Sequence, residues 1–188
     1  MLSRLITVAA LAVGGAVLAK QLKKNKGQSS DSHVSESVDV NVPVRVAYDQ
    51  FTQFEEFPRF MDSVHEVRQL DDKRLHWKAT VFGKAIEWDA EITEQRPDQL
   101  IAWRSTSGTP NGGTVTFKSL SRSRTRVTLE MYYEPTDGVE MVGDALGAVR
   151  MEARGNLKKF KEMIESRGQE TGAWRGTITQ DAGSSATQ

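Results

Sequence analysis

The sequence contains no cysteine, which removes disulfides, thiol nucleophiles and thiolate metal sites and leaves the redox compartment open. Histidine is scarce: His33, His65 and His76 are the only three, and their spacing matches no zinc site. Net charge is absent as well, with 25 basic and 25 acidic residues, but the balance is uneven along the chain. Five of the basic residues, Arg4, Lys20, Lys23, Lys24 and Lys26, precede position 27 and no acid accompanies them, so the rest holds 20 basic against 25 acidic residues, net −5. Such a body is a poor partner for nucleic acid. No residue set matches a catalytic motif, and no metal or cofactor is expected.

What the chain does contain is a long amphipathic pattern over residues 138–167. Val139, Val142, Leu146, Val149, Ala153, Leu157, Phe160 and Ile164 recur at three- and four-residue steps, one stripe of a helix. Asp137 with Glu140 has the form of a capping box at its start, and Gly168 marks its stop. Its first half carries Gly143, Ala145, Gly147 and Ala148, small residues that leave space either for a packed neighbour or for a ligand lying between the helix and a sheet.

Residues 5–19, LITVAALAVGGAVLA, are uncharged and apolar, and the run reaches from Leu2 to Leu22 if Arg4 and Lys20 snorkel to the headgroups. The expectation is a transmembrane anchor over residues 1–22, with the following lysines holding the domain on the cytoplasmic side. A cleaved signal peptide, with Val17 and Ala19 before the cut and export of the remainder, is the alternative; a peripheral amphipathic segment is another. Residues 23–33 read as a flexible polar linker, 34–167 as the folded domain and 168–188 as a disordered tail in which Trp174 could dock on the domain or a membrane.

Within the domain, alternation from Val34 predicts a first strand, and Pro43 followed by Val44, Ala47, Tyr48 and Phe51 predicts a short helix. A second short turn surrounds Pro58. From Val64 to Pro135 the period becomes that of strands. A two-residue loop at Phe82-Gly83 pairs Val81 with Lys84, which places Lys78, His76 and Arg74 opposite Glu87, Asp89 and Glu91 on one face. The other face then pairs Ala79 with Ile86, Trp77 with Trp88 and Leu75 with Ala90. One face is wet and the other apolar, as in an antiparallel sheet covered on one side. Strands around Ile101 and Trp103, Val115 and Phe117, and Val127 to Tyr133 follow, with a loop over residues 108–113. The fold class is α+β: a curved antiparallel sheet of about seven strands wrapped around a long C-terminal helix.

The segment VDVNVPVRVAYDQFTQFEEFPRFMDSVHEVRQLDDKRLHWKA, followed by EWDAEITEQRPDQLIAWRS, TRVTLEMYYEP and the closing helix, resembles the SRPBCC superfamily. This is the helix-grip group of START domains, birch-pollen-allergen-like proteins and bacterial polyketide cyclase/dehydrase proteins. The resemblance covers residues 34–167, and ETGAWRG at 170–176 is also similar to bacterial members. It implies a cavity between sheet and helix for a lipid, sterol, quinone or polyketide, with catalysis in only some members. Trp77, Trp88, Trp103, Phe117, Met131, Tyr133, Val142, Leu146 and Gly147 are the expected cavity lining. The preferred expectation is a non-enzymatic binder or carrier of a hydrophobic small molecule; the alternatives are a cyclase/dehydratase, and a protein-interaction module with a closed core. His76 is expected in a surface pair with Asp89, and Arg104 outward if Trp103 is inward.

Overall fold

The turn at Gly83 sets the register of the sheet. Gly83 has φ 76°, a left-handed conformation that glycine adopts without strain, and every pair expected from it forms, from Val81↔Lys84 through Trp77↔Trp88 to Arg74↔Glu91. The computed structural model describes residues 33–81, 83–108, 110–133 and 143–179. The elements run β1 (His33–Val40), α1 (Val44–Phe51), a 3₁₀ helix (Phe54–Arg59), β2 (Val64–Gln69), β3 (Arg74–Val81), β4 (Lys84–Arg96), β5 (Leu100–Ser105), β6 (Asn111–Ser121), β7 (Arg124–Tyr133) and α2 (Gly143–Arg167). Strand order is β1-β7-β6-β5-β4-β3-β2, all neighbours antiparallel. A meander from β2 to β7 therefore takes β1 on its last edge, and the sheet curls around α2 in a helix grip.

Alternation assigns the two faces. Leu75, Trp77, Ala79, Trp88 and Ala90 are buried, and the Trp77 and Trp88 rings stack at 5.5 Å with an interplanar angle of 11°. On the outer face His76 Nδ1 lies 2.8 Å from Asp89, Lys78 Nζ 3.9 Å from Glu87 and Arg104 Nη2 3.2 Å from Glu91. Irregular registers at Val64/Glu66, Ile92/Glu94 and Ser119/Ser121 bend three of the strands, the local effect of β-bulges. The loop expected over 108–113 is shorter than its glycines suggest, because β6 begins at Asn111. Gly113 lies between Trp103 and Met131 in the ladder, so a missing side chain there leaves room for two large inward ones.

The concave face closes on α2. Val149, Ala153, Leu157, Phe160 and Ile164 are each at most 3% exposed, and the Phe160 ring packs edge-on against Phe51 (4.8 Å) and Phe60 (5.4 Å). Gly168, φ 71°, ends the helix by donating its N–H to the Ile164 carbonyl at 2.8 Å, an αL cap. The expected start, with Asp137 and Glu140, lies outside the described residues. Arg154 forks onto Glu36 of β1 at 3.1 and 3.0 Å, and Lys161 donates to the Asp39 carbonyl at 2.6 Å, so polar contacts hold the helix along the β1 edge.

The tail departs from the expected disorder. Residues 168–179 lie against the domain, where Ile178 is 5% exposed and exchanges two backbone hydrogen bonds with Gln95, at 2.8 and 2.9 Å. Composition misled because one arginine, one tryptophan and one isoleucine in a polar segment are enough when complementary groups wait on the domain. Deleting the Phe160 ring tests the central packing: Phe160→Ala should lower unfolding free energy by about 3–5 kcal/mol in urea titration, the usual cost of emptying a buried aromatic position.

Candidate functional site

Two cavities lie along the seam between α2 and the sheet. The first, about 30 Å³, is bounded by Met61, Ser63, Val64, Ala79, Val81, Trp88, Leu129, Met131, Val149, Glu152, Ala153 and Asn156. The second, about 20 Å³, is bounded by the rings of Phe51, Phe57, Phe60, Trp77 and Trp103 with Met61, Leu129, Asn156 and Leu157. Each holds one or two water-sized spheres, against several hundred cubic ångströms for a typical ligand pocket. Met61, Leu129 and Asn156 line both, so three side chains divide one seam into two chambers.

Of the residues expected to line a cavity, Trp88 and Met131 line the first and Trp77 and Trp103 the second. Phe117 is buried but packs edge-on against Tyr48 (5.5 Å) and Phe51 (5.6 Å), behind the seam. Gly147 is exposed, borders neither cavity, and a Cβ built on it meets nothing within 4 Å. Val142 and the side chains of Tyr133 and Leu146 lie outside the described residues.

Asn156 and Met61 escaped the sequence reading. Asn156 falls three residues after Ala153 and four before Phe160, within the apolar stripe, so a polar residue at a core-facing step was the available signal. It is half-buried on α2. Met61 follows the 3₁₀ helix and carried no periodic signal. At the rim of the first cavity, Ser63 donates to the Glu152 carboxylate.

The histidines lie elsewhere. His76 is on the outer face between Asp89 and Glu87, and His65 Nε2 is 2.6 Å from Thr80 Oγ1 on an exposed edge. His33 starts β1 rather than ending a linker, with its ring 6.0 Å from Tyr132. Arg104 points outward to Glu91, as the parity of Trp103 required.

Beside the second cavity, the tail fastens α1 and the 3₁₀ helix through a buried polar cluster. Asp49, Gln50, Thr52 and Gln95 are each at most 2% exposed. Arg175 donates to Asp49 at 2.6 Å and to Asp98 at 3.1 and 2.7 Å, and its guanidinium lies 5.7 Å from the Tyr48 ring centre. Gln50 Oε1 accepts from Arg167 and from the Thr171 N–H, both at 3.0 Å, while the Trp174 N–H donates to Thr52 Oγ1 at 3.0 Å. Phe51 and Phe57, carried by the same two helices, wall the second cavity, so the tail braces that wall. Burial pushes the Tyr48 hydroxyl above its usual range, partly offset by the hydrogen bond from Gln95 at 3.0 Å. Burial also opposes ionisation of Glu56, but hydrogen bonds and charges from Gln50, Arg59, Thr171 and Arg167 outweigh it and hold the carboxyl low.

A curled sheet closed on a helix over an apolar seam is the plan of a helix-grip protein that takes a hydrophobic molecule. The comparisons carry the identification further. Residues 40–162 match the family of polyketide cyclase/dehydrase and lipid transport proteins. An uncharacterised 17.2 kDa protein of Streptomyces lincolnensis is 48% identical over 148 residues, covering 78% of this chain and 99% of its own. A Deinococcus radiodurans protein of solved structure is 26% identical with a TM-score of 0.58, covering 72% of this chain and 98% of that one. The Zhui aromatase/cyclase of a Streptomyces strain (17% identical, TM-score 0.62, 76% and 98% covered) shares the fold. A START superfamily protein of Mycobacterium smegmatis (15%, 0.58, 72% and 95%) shares it as well. The chain belongs to the polyketide cyclase/dehydrase and lipid transport family. Membership supports a role in binding or cyclising a hydrophobic molecule and does not choose between the two.

The brace yields two expected outcomes. Arg175→Ala leaves the buried Asp49 carboxylate with Arg45 alone, at 3.3 Å, and should cost about 1–3 kcal/mol, whereas Asp98→Ala, which removes a partner 34% exposed, should cost at most about 1 kcal/mol; urea midpoints compare them. The pH dependence follows from the signs. Glu56 is depressed, so its contribution is complete above its ordinary value of 4.5 and disappears as pH falls through the lower folded value. Tyr48 is raised, so stability falls as pH climbs past 10.0, where the unfolded chain ionises first. Urea midpoints across pH should decline on both flanks, and Tyr48→Phe should remove the Tyr48 share of the alkaline decline.

Proposed function

We propose that the protein binds and carries, or senses, a hydrophobic small molecule of lipid, quinone or polyketide type in the seam between α2 and the sheet, without catalysing a reaction. The observation that carries this reading is the seam itself, two chambers walled by aromatic and aliphatic side chains and divided by Met61, Leu129 and Asn156. A guest of ligand size requires the divider to move. Met61, unbranched and polarisable, is the member of the divider best suited to that displacement.

The polar groups favour binding over chemistry. His76 is committed to carboxylates on the outer face and His65 to Thr80, so neither general base of ordinary type faces the seam. Among the described residues Glu152 is the sole carboxylate lining either cavity, engaged by Ser63. The cyclase reading rests on the family description and would run through that residue: turnover of a polyketide lost in Glu152→Gln with binding retained would establish it. The interaction-module reading has less support, since the exposed large hydrophobics among the described residues are Leu70 on the β2–β3 loop, Leu120 on β6 and Met151 on α2.

We further propose that residues 1–22 tether the domain to a membrane with the domain on the cytoplasmic side. The support is the apolar run and the lysines after it. The run lies outside the described residues, and no helix among those described is long and apolar enough to cross a membrane. β1, the first described element, begins beside the first cavity, because Val34 pairs with the cavity residue Met131. A tether at that end would keep the chamber close to the bilayer, the natural source of apolar cargo.

The test is native mass spectrometry of the full chain purified from cells, followed by organic extraction. One apolar molecule per chain is expected, and an empty chain that also binds no member of a lipid and quinone panel would overturn the reading. Ala153→Leu, which fills the first cavity from α2, should abolish uptake while costing about 1–3 kcal/mol of stability.

A further inference from the structure

Charge is spread unevenly over the body. Beyond position 26 the chain holds 20 basic against 25 acidic residues, yet between Asp98 and Glu130 it holds five basic residues and no acid. Four of those five, Lys118, Arg122, Arg124 and Arg126, are exposed on the β6–β7 hairpin. Lys118 stands directly opposite Arg126 in the ladder, a like-charge pair that costs stability. The hairpin borders β1, the edge strand, and α2 borders it as well. Arg124 and Arg126 reach Asp39 at 2.7 Å from the outer face of β1, while Arg150 and Arg154 reach Glu36 at 3.8 and 3.0 Å from the helix side. The Glu36 and Asp39 side chains are 12% and 22% exposed and the four arginines 49–67%, so the acids lie beneath and the cations outside. Lys158, one turn beyond Arg154 and 75% exposed, continues the row. Among the described residues, seven cations thus straddle the β1 edge against Glu36, Asp39, Glu130 and Glu162, a surplus of three on a body of net −5.

Two of the three exposed large hydrophobics among the described residues stand in the same row: Met151, 72% exposed, between Arg150 and Arg154, and Leu120, 38% exposed, between Lys118 and Arg122. The third, Leu70, follows β2, the opposite edge of the sheet. Charges on an edge strand keep it from pairing with another copy, but that role calls for no exposed methionine beside them. Cations interleaved with single apolar side chains suit an anionic lipid surface, where guanidinium meets phosphate and the apolar groups meet the acyl boundary. Lys20, Lys23, Lys24 and Lys26 precede this same strand, which begins at His33.

From this we propose that the β1 edge, with the outer side of α2 and the β6–β7 hairpin, is a docking face for an anionic lipid surface. The inference needs no guest in the seam. It extends the proposed tether from a point of attachment to a face, and the experiment separates the two.

Because the chain has no cysteine, one introduced at an exposed position carries an environment-sensitive nitrobenzoxadiazole label at that position alone. The full chain is labelled in Met151→Cys, in Leu120→Cys and, as the opposite-edge control, in Leu70→Cys. Each is mixed with vesicles of phosphatidylcholine alone or with about one-third phosphatidylglycerol. Emission at 151 and 120 should shift to the blue and brighten on the phosphatidylglycerol vesicles only, and emission at 70 should stay unchanged. Salt at about 0.5 M roughly halves the physiological screening length and should remove the shift. Lys118→Glu with Arg122→Glu turns the surplus of three into a deficit of one and should abolish the shift at 120 in a chain of unchanged circular dichroism. Flotation with phosphatidylcholine vesicles reports the tether by itself. A chain that floats there and shows no shift on phosphatidylglycerol would overturn the docking face and leave the tether standing; a chain that does not float there and shows both shifts on phosphatidylglycerol upholds the face and overturns the tether. An equal shift at 70, or shifts produced as strongly by a DNA duplex, would overturn the lipid face.

Discussion

The molecule depends on one requirement: the apolar stripe of α2 and the concave face of the sheet each need a partner, and each is the other's. A sheet with one wet face and one apolar face is unstable alone, and a helix with Val149, Ala153, Leu157, Phe160 and Ile164 along one side is no better placed. Joining them removes both surfaces from water. The bulges that bend three strands, and the fork of Arg154 on Glu36, serve the same closure by bringing β1 up to the flank of the helix.

That closure is deliberately incomplete in one place. A core composed only for stability would give the buried Trp77 N–H an acceptor, since that removes an unpaired polar group. Met61, between two small chambers, is likewise an unbranched side chain that rearranges more easily than a branched one. Local departures from good packing, gathered along one seam in a fold of hydrophobic-ligand proteins, are where function is expected to reside.

The C-terminal brace fastens α1 to the end of the sheet at Gln95 and Asp98. Residues 168–179 fall beyond the stretch 40–162 shared with the family, yet they complete the hydrogen bonding of Asp49, Gln50 and Thr52, polar groups buried in α1 and just after it. Without the tail Asp49 would keep Arg45, Gln50 would keep Arg167 and Glu56, and each would lose the partner the tail adds. The wall carrying Phe51 and Phe57 is thus held from outside by the tail.

Much of the fold was legible in the residues because its signals are local and periodic. Alternation and one glycine turn determine the pairing from Arg74 to Glu91, and the three- and four-residue steps from Val149 to Ile164 determine which side of α2 is buried. Facing follows from parity, so Trp77, Trp88 and Trp103 inward and His76 and Arg104 outward needed no coordinates. The site was legible only in part. Gly147 looked like room for a ligand, yet among the described residues it borders neither cavity. Met61 enters from an irregular segment, and Asn156 acquires meaning only when the rings of the second chamber surround it. The tail docks through Arg175 onto Asp49 and Asp98, residues 126 and 77 positions away. The sequence by itself determined the strands, the helix and their faces, because neighbouring residues suffice to encode a period; the chambers, the unpaired Trp77 N–H and the brace were decided by tertiary structure, because they arise where segments distant in the chain meet.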